Sequence, residues 1–286
     1  MNVNNTFYVK AGTPLWLRLE LGSGYLTDYL IRPPFLPIFS CISLGYALKK
    51  RSWNPRLTYL TLLVSAYLVF IFLVGGDHMQ SYRLLLPVIP LMSGLITIAL
   101  SQTLVSNRKL TINLITLSIL MFSSLQLWDK SLNPLKEDPA ASVGTIVGKY
   151  IESAWPAGSL VALNTAGSTP YYAGSHTYID MLGLNDPTIA NRVIENVELP
   201  LQKIPGHLKG DGKYVLSRQP DYIILGPAEG TEATHPWYLS DLELGRDPQF
   251  HRDYVVRRIR LDRNGNVISG GGLIFTYYEK VNHKEE

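Results

Sequence analysis

The sequence predicts a membrane α-helical bundle of about four transmembrane helices followed by a soluble α/β domain. Three observations carry this expectation. Charged residues make up 17% of the 286 residues, against about 25% in an ordinary soluble protein. The deficit is confined to four apolar runs, residues 33–48, 57–74, 84–104 and 110–128. Beyond residue 129 the composition is ordinary, and helical and strand patterns alternate there as they do in α/β domains.

Residues 1–32 form the first segment. Phe7, Tyr8, Trp16, Leu17, Leu19, Leu21, Tyr25, Leu26 and Leu30 are interspersed with Lys10, Arg18, Glu20, Asp28 and Arg32. Aromatic residues mixed with charge suit a helix lying in the headgroup plane; a disordered tail is the plainer alternative. The N-terminus lacks a charged region followed by an apolar core, so it does not read as a signal peptide.

Residues 33–128 hold the four runs. A span needs about 17–25 apolar residues, which the last three runs supply. The first opens on Pro33-Pro34 and crosses only if its helix reaches back through Tyr25–Ile31. Lys49, Lys50, Arg51 and Arg56 lie between the first two runs, and Arg108 and Lys109 between the last two. Cytoplasmic loops are rich in Lys and Arg, so these loops go inside. The 75–83 loop, the N-terminal segment and everything after Trp128, itself a fitting interfacial anchor, then go outside. This pattern accounts for the net charge of +3 and the pI near 8.8 without invoking nucleic acid. Cys41 is the single cysteine, which rules out a disulfide within one chain.

Residues 129–286 form the predicted extracytoplasmic α/β domain. After a linker over 129–142, Val143, Ile146, Val147, Tyr150 and Ile151 share one helical face. Strands are expected at 159–164, 178–182 and 221–225. A short helix is expected from Ser168 or Thr169 through Tyr172, with Pro170 in its first turn, and a helix plus glycine-containing loop over 192–215. Residues 254–261 and 273–281 read as a hairpin that turns at Asp262–Gly265.

Candidate chemistry concentrates in Gly75-Gly76-Asp77-His78-Met79-Gln80-Ser81-Tyr82-Arg83, a polar stretch between two apolar runs. Polar groups near a bilayer are costly and mark functional sites. Asp77 is the best candidate for a catalytic base. Arg83 suits a phosphate through its planar guanidinium, and His78 and Tyr82 join it as substrate-binding candidates. The competing reading is a solvated loop with a Gly-Gly turn. Asp180 ends a predicted strand, where carboxylates of α/β domains face the ligand crevice. Asn185 and Asp186 sit where they would cap a helix starting at Pro187. Tyr171, Tyr172, His176 and Tyr178 suit either sugar stacking or a core. Arg257, Arg258 and Arg260 suit a solvated or headgroup-facing strand, and Gly270–Gly272 a hairpin loop. The sequence carries no HExxH, no paired metal histidines and no nucleophile elbow.

Three blocks resemble one family: Asn5-Thr6-Phe7-Tyr8-Val9-Lys10, Gly75-Gly76-Asp77-His78-Met79 with Arg83-Leu84-Leu85-Leu86-Pro87, and Ile179-Asp180-Met181-Leu182-Gly183-Leu184-Asn185-Asp186. They look like the C-terminal half of bacterial GT-C-type integral membrane glycosyltransferases, in the branch of the terminal arabinofuranosyltransferases of mycobacterial cell walls. The resemblance implies a multi-pass protein of the bacterial plasma membrane. It would transfer sugar from a polyprenyl-phosphate donor to an envelope glycan or lipid acceptor, with no other cofactor. Asp77 and Arg83 would lie in the cavity near donor or acceptor, Asp180 would face that cavity from the α/β domain, and Asn185 would help to bind substrate. The family places its catalytic aspartate in a first extracytoplasmic loop that no part of this sequence matches. The chain therefore reads as a portion that is incomplete alone, with a second subunit as one source of the missing half. The rival reading is a non-catalytic, membrane-anchored glycan-binding or assembly protein.

Overall fold

The computed structural model describes residues 13–31, 35–106 except 50, 52, 78 and 79, isolated positions between 109 and 120, and 138–281 except 205. His78, the 5–10 block, Pro33-Pro34, Lys50, Arg108, Trp128, most of the 110–128 run and most of the 129–142 linker lie outside the described residues. The chain divides into two compact units, one within 14–135 and the other formed mainly by 136–286.

The first unit is helical, with α1 (Leu15–Ile31), α2 (Phe35–Lys49), α3 (Pro55–Val74) and α4 (Val88–Ser106), and a 3-10 turn at Gln80–Leu85 before α4. α3 has well-defined ends. The Asn54 side chain accepts from the Leu57 N–H, Pro55 occupies the first turn, and Gly75, at φ 86°, closes the helix by donating to the Ile71 carbonyl. Its buried residues, Leu57, Val64 and Ile71, fall on one stripe. Val64 and Ile71 pack with Tyr29, Leu85, Val88 and Met92; Leu57 packs with Ala47, Leu95 and Ala99.

The four-span bundle is not what these residues build. Among the described residues only α3 is long and apolar enough to cross a membrane. Two of the other runs depart from their expected bounds for local reasons. α2 is a 15-residue helix, which falls short of a span. In the 84–104 run, the 3-10 turn takes up Leu84 and Leu85 and a turn follows at Leu86-Pro87, so α4 starts only at Val88. Composition counted those residues as one continuous helix; the proline and the tight turn divide them. α3 itself has a mean hydropathy of 2.4, and only 17% of its most apolar window is buried. A core helix of this composition would be mostly covered.

The second unit is α/β. Its elements are α5 (Pro139–Ala154), β1 (Leu160–Leu163), α6 (Ser168–Tyr172), β2 (Thr177–Asp180), α7 (Pro187–Asn191), a 3-10 turn at Pro200–Lys203, α8 (Gly212–Ser217), β3 (Tyr222–Ile224), α9 (Leu239–Arg246), α10 (Pro248–Asp253), β4 (Tyr254–Leu261) and β5 (Leu273–Lys280). The sheet order is β2-β1-β3-β5-β4. The first three strands are parallel, and β5 is antiparallel to both β3 and β4. Side chains alternate across the sheet. Val161, Leu163 and Ile224 face α5 with Val147, Ile151, Trp155 and Phe275. Ala162, Ile179 and Ile223 face the other way, with Val215, Leu216, Leu244 and Phe250.

Two predicted boundaries move. α5 begins at Pro139 because Asp138 caps it, accepting from the Ala140 N–H at 2.9 Å. Little of 192–215 is helical. Pro200 opens a single 3-10 turn, where the Gln202 amide oxygen accepts from the N–H groups of Glu198 and Leu199, and Gly206, at φ 92°, diverts the chain.

Candidate functional site

The polar stretch after α3 folds back onto α1. Gly75 and Gly76 both have positive φ, and a Cβ built on Gly76 would stand 2.6 Å from the Tyr25 side chain. Glycine therefore allows the loop to lie against that ring. The Asp77 carboxylate accepts from Arg83 Nε. The ion pair is lopsided, with the Asp77 side chain 2% exposed and that of Arg83 52% exposed. Asp77 thus anchors a guanidinium whose outer edge faces solvent.

Tyr82 extends the cluster. Its φ of 48° is the left-handed region, a strained setting for a non-glycine residue. Its phenol donates to the Asp28 carboxylate. Its ring meets Tyr25 and Tyr29 edge to face, at centroid distances of 5.6 and 5.4 Å. Burial first, and the Asp77 charge second, push the Tyr25 phenol up to about 12. Asp77, Tyr82 and Arg83 therefore come together with three residues of α1: Tyr25, Asp28 and Tyr29. The sequence places Asp28 only among the charges of an amphipathic segment. The spacing that could have found it is Tyr25, Asp28, Tyr29, which puts two rings and a carboxylate on one helix face.

In the α/β unit, Asp180 and Asn185 do meet, in a closed turn. Asp180 Oδ1 accepts from the Leu182 N–H at 3.0 Å, and Oδ2 accepts from the Asn185 N–H at 2.7 Å and its side-chain amide at 3.2 Å. Burial pushes this carboxyl up, against the pull of those hydrogen bonds. The oxygens expected to face a ligand are spent on the chain's own donors. Asp186 caps α7 and accepts from the Tyr214 phenol. Tyr178 donates to the Ala173 carbonyl, His176 is buried, and Tyr171 is 80% exposed.

The crevice of an open α/β sheet lies outside the carboxyl ends of strands whose connections leave to opposite faces. β1 leads to α6, which packs on α5, whereas β3 leads to α9 on the other face. The crevice therefore falls between Asn164 and Gly226, and Asp241 fills it. This fully buried carboxylate accepts from the Asn164 side-chain amide at 2.8 Å and from the N–H groups of Gly226, Trp237 and Tyr238 at 3.0–3.1 Å. Burial pushes it up to about 6. Its one sequence signal is its place three residues after Tyr238, in the first turn of α9. Among the described residues, no group of three His, Cys, Asp or Glu is placed to hold a metal ion.

Residues 137–274 match the family model of a domain of unknown function, DUF8728. That stretch runs from the start of α5 to the start of β5. No curated protein and no solved structure matches the chain.

Proposed function

We propose that this chain is the C-terminal portion of a glycosyltransferase that takes a polyprenyl-phosphate sugar as donor, and that Arg83 receives the donor's phosphate. The observation that carries the proposal is a half-exposed guanidinium, fixed on a buried carboxylate, at the end of a helix whose apolar side chains face outward. Val69, Phe70, Leu73 and Leu86 are exposed beside it. An anionic head with an apolar tail matches both halves of that surface. With the basic residues at the N-terminal end of α3 placed inside, the Gly75–Arg83 end faces the extracytoplasmic side.

On this reading Asp77 plays two successive roles. Before the donor arrives it holds Arg83. When the donor phosphate takes over the guanidinium, Asp77 loses its counter-ion and becomes the stronger base. It then accepts the proton of the acceptor hydroxyl as that oxygen bonds to the anomeric carbon. The bond from that carbon to the phosphate oxygen breaks, and the lipid phosphate leaves with the electron pair.

The test is binding of polyprenyl phosphate to the full chain in neutral micelles. Arg83→Gln is expected to weaken it roughly 10- to 100-fold, the value of a charge-assisted contact, with Arg83→Lys intermediate. Equal binding by all three proteins would refute the assignment. In membranes that support transfer, Asp77→Asn is expected to abolish it. The reading as a non-catalytic glycan-binding protein draws on Tyr171, exposed beside Tyr172 on α6. It predicts oligosaccharide binding that Tyr171→Ala removes.

A further inference from the structure

We propose that the turn leading into α3 is a binding site for an anionic phospholipid headgroup, held by Arg51 and Arg56 against Trp53. The inference builds on the membrane insertion of α3 proposed above and concerns the opposite end of that helix. A cavity of about 540 Å³ opens there, lined by Trp53, Asn54, Pro55, Thr58, Tyr59 and Leu62. The indole is fixed: Trp53 Nε1 donates to Thr58 Oγ1 at 2.8 Å, and the Thr58 hydroxyl donates to the Asn54 carbonyl at 3.3 Å. Trp53 thus stands as a wall of the cavity with its polar edge already satisfied. The outer wall is apolar and open, with Tyr59 66% and Leu62 65% exposed.

The charge around the cavity has one sign. Lys49, Arg51 and Arg56 adjoin its lining residues along the chain, and the sequence contains no Asp or Glu between Asp28 and Asp77. Among the described residues, Lys49, Arg51 and Arg56 make no ion pair, and all three are exposed. Arg51 occupies the left-handed region at φ 52° and donates its N–H to the Leu48 carbonyl. Glycine or asparagine fits that position with less strain, so the strain goes with a cationic side chain. Guanidinium groups bind phosphodiesters through a planar fork, and Trp and Tyr settle at headgroup level. The cavity continues onto Tyr59 and Leu62, the next turn of the membrane-length helix. A soluble anion would use the cations alone, whereas a phospholipid uses the cations and the apolar wall together.

α3 has 20 residues, so this site lies about 30 Å along the helix from the Arg83 end, and the two are separable by experiment. The full chain in neutral micelles is titrated with dioctanoyl-phosphatidylglycerol, dioctanoyl-phosphatidylcholine and inorganic phosphate, with bound lipid counted by native mass spectrometry. Phosphatidylglycerol is expected to bind at least tenfold more tightly than phosphatidylcholine. Arg51→Gln/Arg56→Gln is expected to lose about 25-fold of that affinity, roughly fivefold per cation, with its circular dichroism unchanged. Inorganic phosphate is expected to leave the lipid in place. Equal binding of the two lipids, wild-type affinity in the double variant, or displacement by phosphate at equal concentration would each overturn the proposal. Arg83→Gln separates the two sites. It is expected to lose polyprenyl phosphate and retain phosphatidylglycerol, and loss of both would overturn the assignment of a second site.

Discussion

Asp241 tests whether desolvation or hydrogen bonding governs a buried carboxylate. It accepts from three backbone N–H groups and one side-chain amide, which would by themselves favour the ionised form. Burial disfavours it and wins, raising the group from 3.8 to about 6. That rise corresponds to ~3 kcal/mol of linked stability. The sign follows from proton binding: the folded state holds this proton more tightly than the unfolded chain. The favourable contribution is therefore fully present below about pH 4 and lost as pH rises through about 6. The comparison variant is Asp241→Asn, which cannot titrate. It loses acceptor capacity at every pH, but only the wild type should change relative to it. Urea unfolding of both full chains from pH 4 to 7, followed by near-ultraviolet circular dichroism of the stacked Trp155–Tyr222 pair, gives the difference directly. The wild type is expected to lose ~2.4 kcal/mol relative to the variant across that range. A constant difference, or a carboxyl carbon resonance of Asp241 titrating below pH 4, would refute the claim that burial outweighs the four donors.

Phe250 is fully buried against Tyr254 and Tyr278, so Phe250→Ala should cost ~3–5 kcal/mol in urea unfolding. A loss under 1 kcal/mol would mean that face of the sheet is loosely packed. Gly76→Ala drives a methyl into Tyr25, whereas Gly158→Ala, at φ 83°, meets nothing within 4 Å. The first should destabilise the helical unit and weaken polyprenyl-phosphate binding. The second should cost only the ~1 kcal/mol of a left-handed alanine, and equal thermal shifts would contradict the contact. Asp186→Ala removes the α7 cap and should cost ~1 kcal/mol, measured by the same unfolding.

The sequence determined much of the local structure, because that structure is set by neighbours in the chain. The apolar runs Ser159–Asn164 and Asp221–Leu225 become β1 and β3, and the Asp262–Gly265 turn joins the β4–β5 side of the sheet. Asp186 before Pro187 gave its capping role away. Where the 84–104 run becomes helix was beyond it. Hydropathy sums residues along a run, but a 3-10 turn and Pro87 decide where α4 starts. The sheet order with β1 between β2 and β3, and the closing of the crevice by Asp241, depend on contacts between distant residues. Asn164 and Asp241 are 77 positions apart. The same holds in the helical unit, where Tyr82 reaches Asp28 across 54 positions. Asp77 and Arg83 were legible as a charged loop. That one is buried and the other half in solvent was decided only by tertiary structure, because exposure depends on what the rest of the chain packs against each side chain.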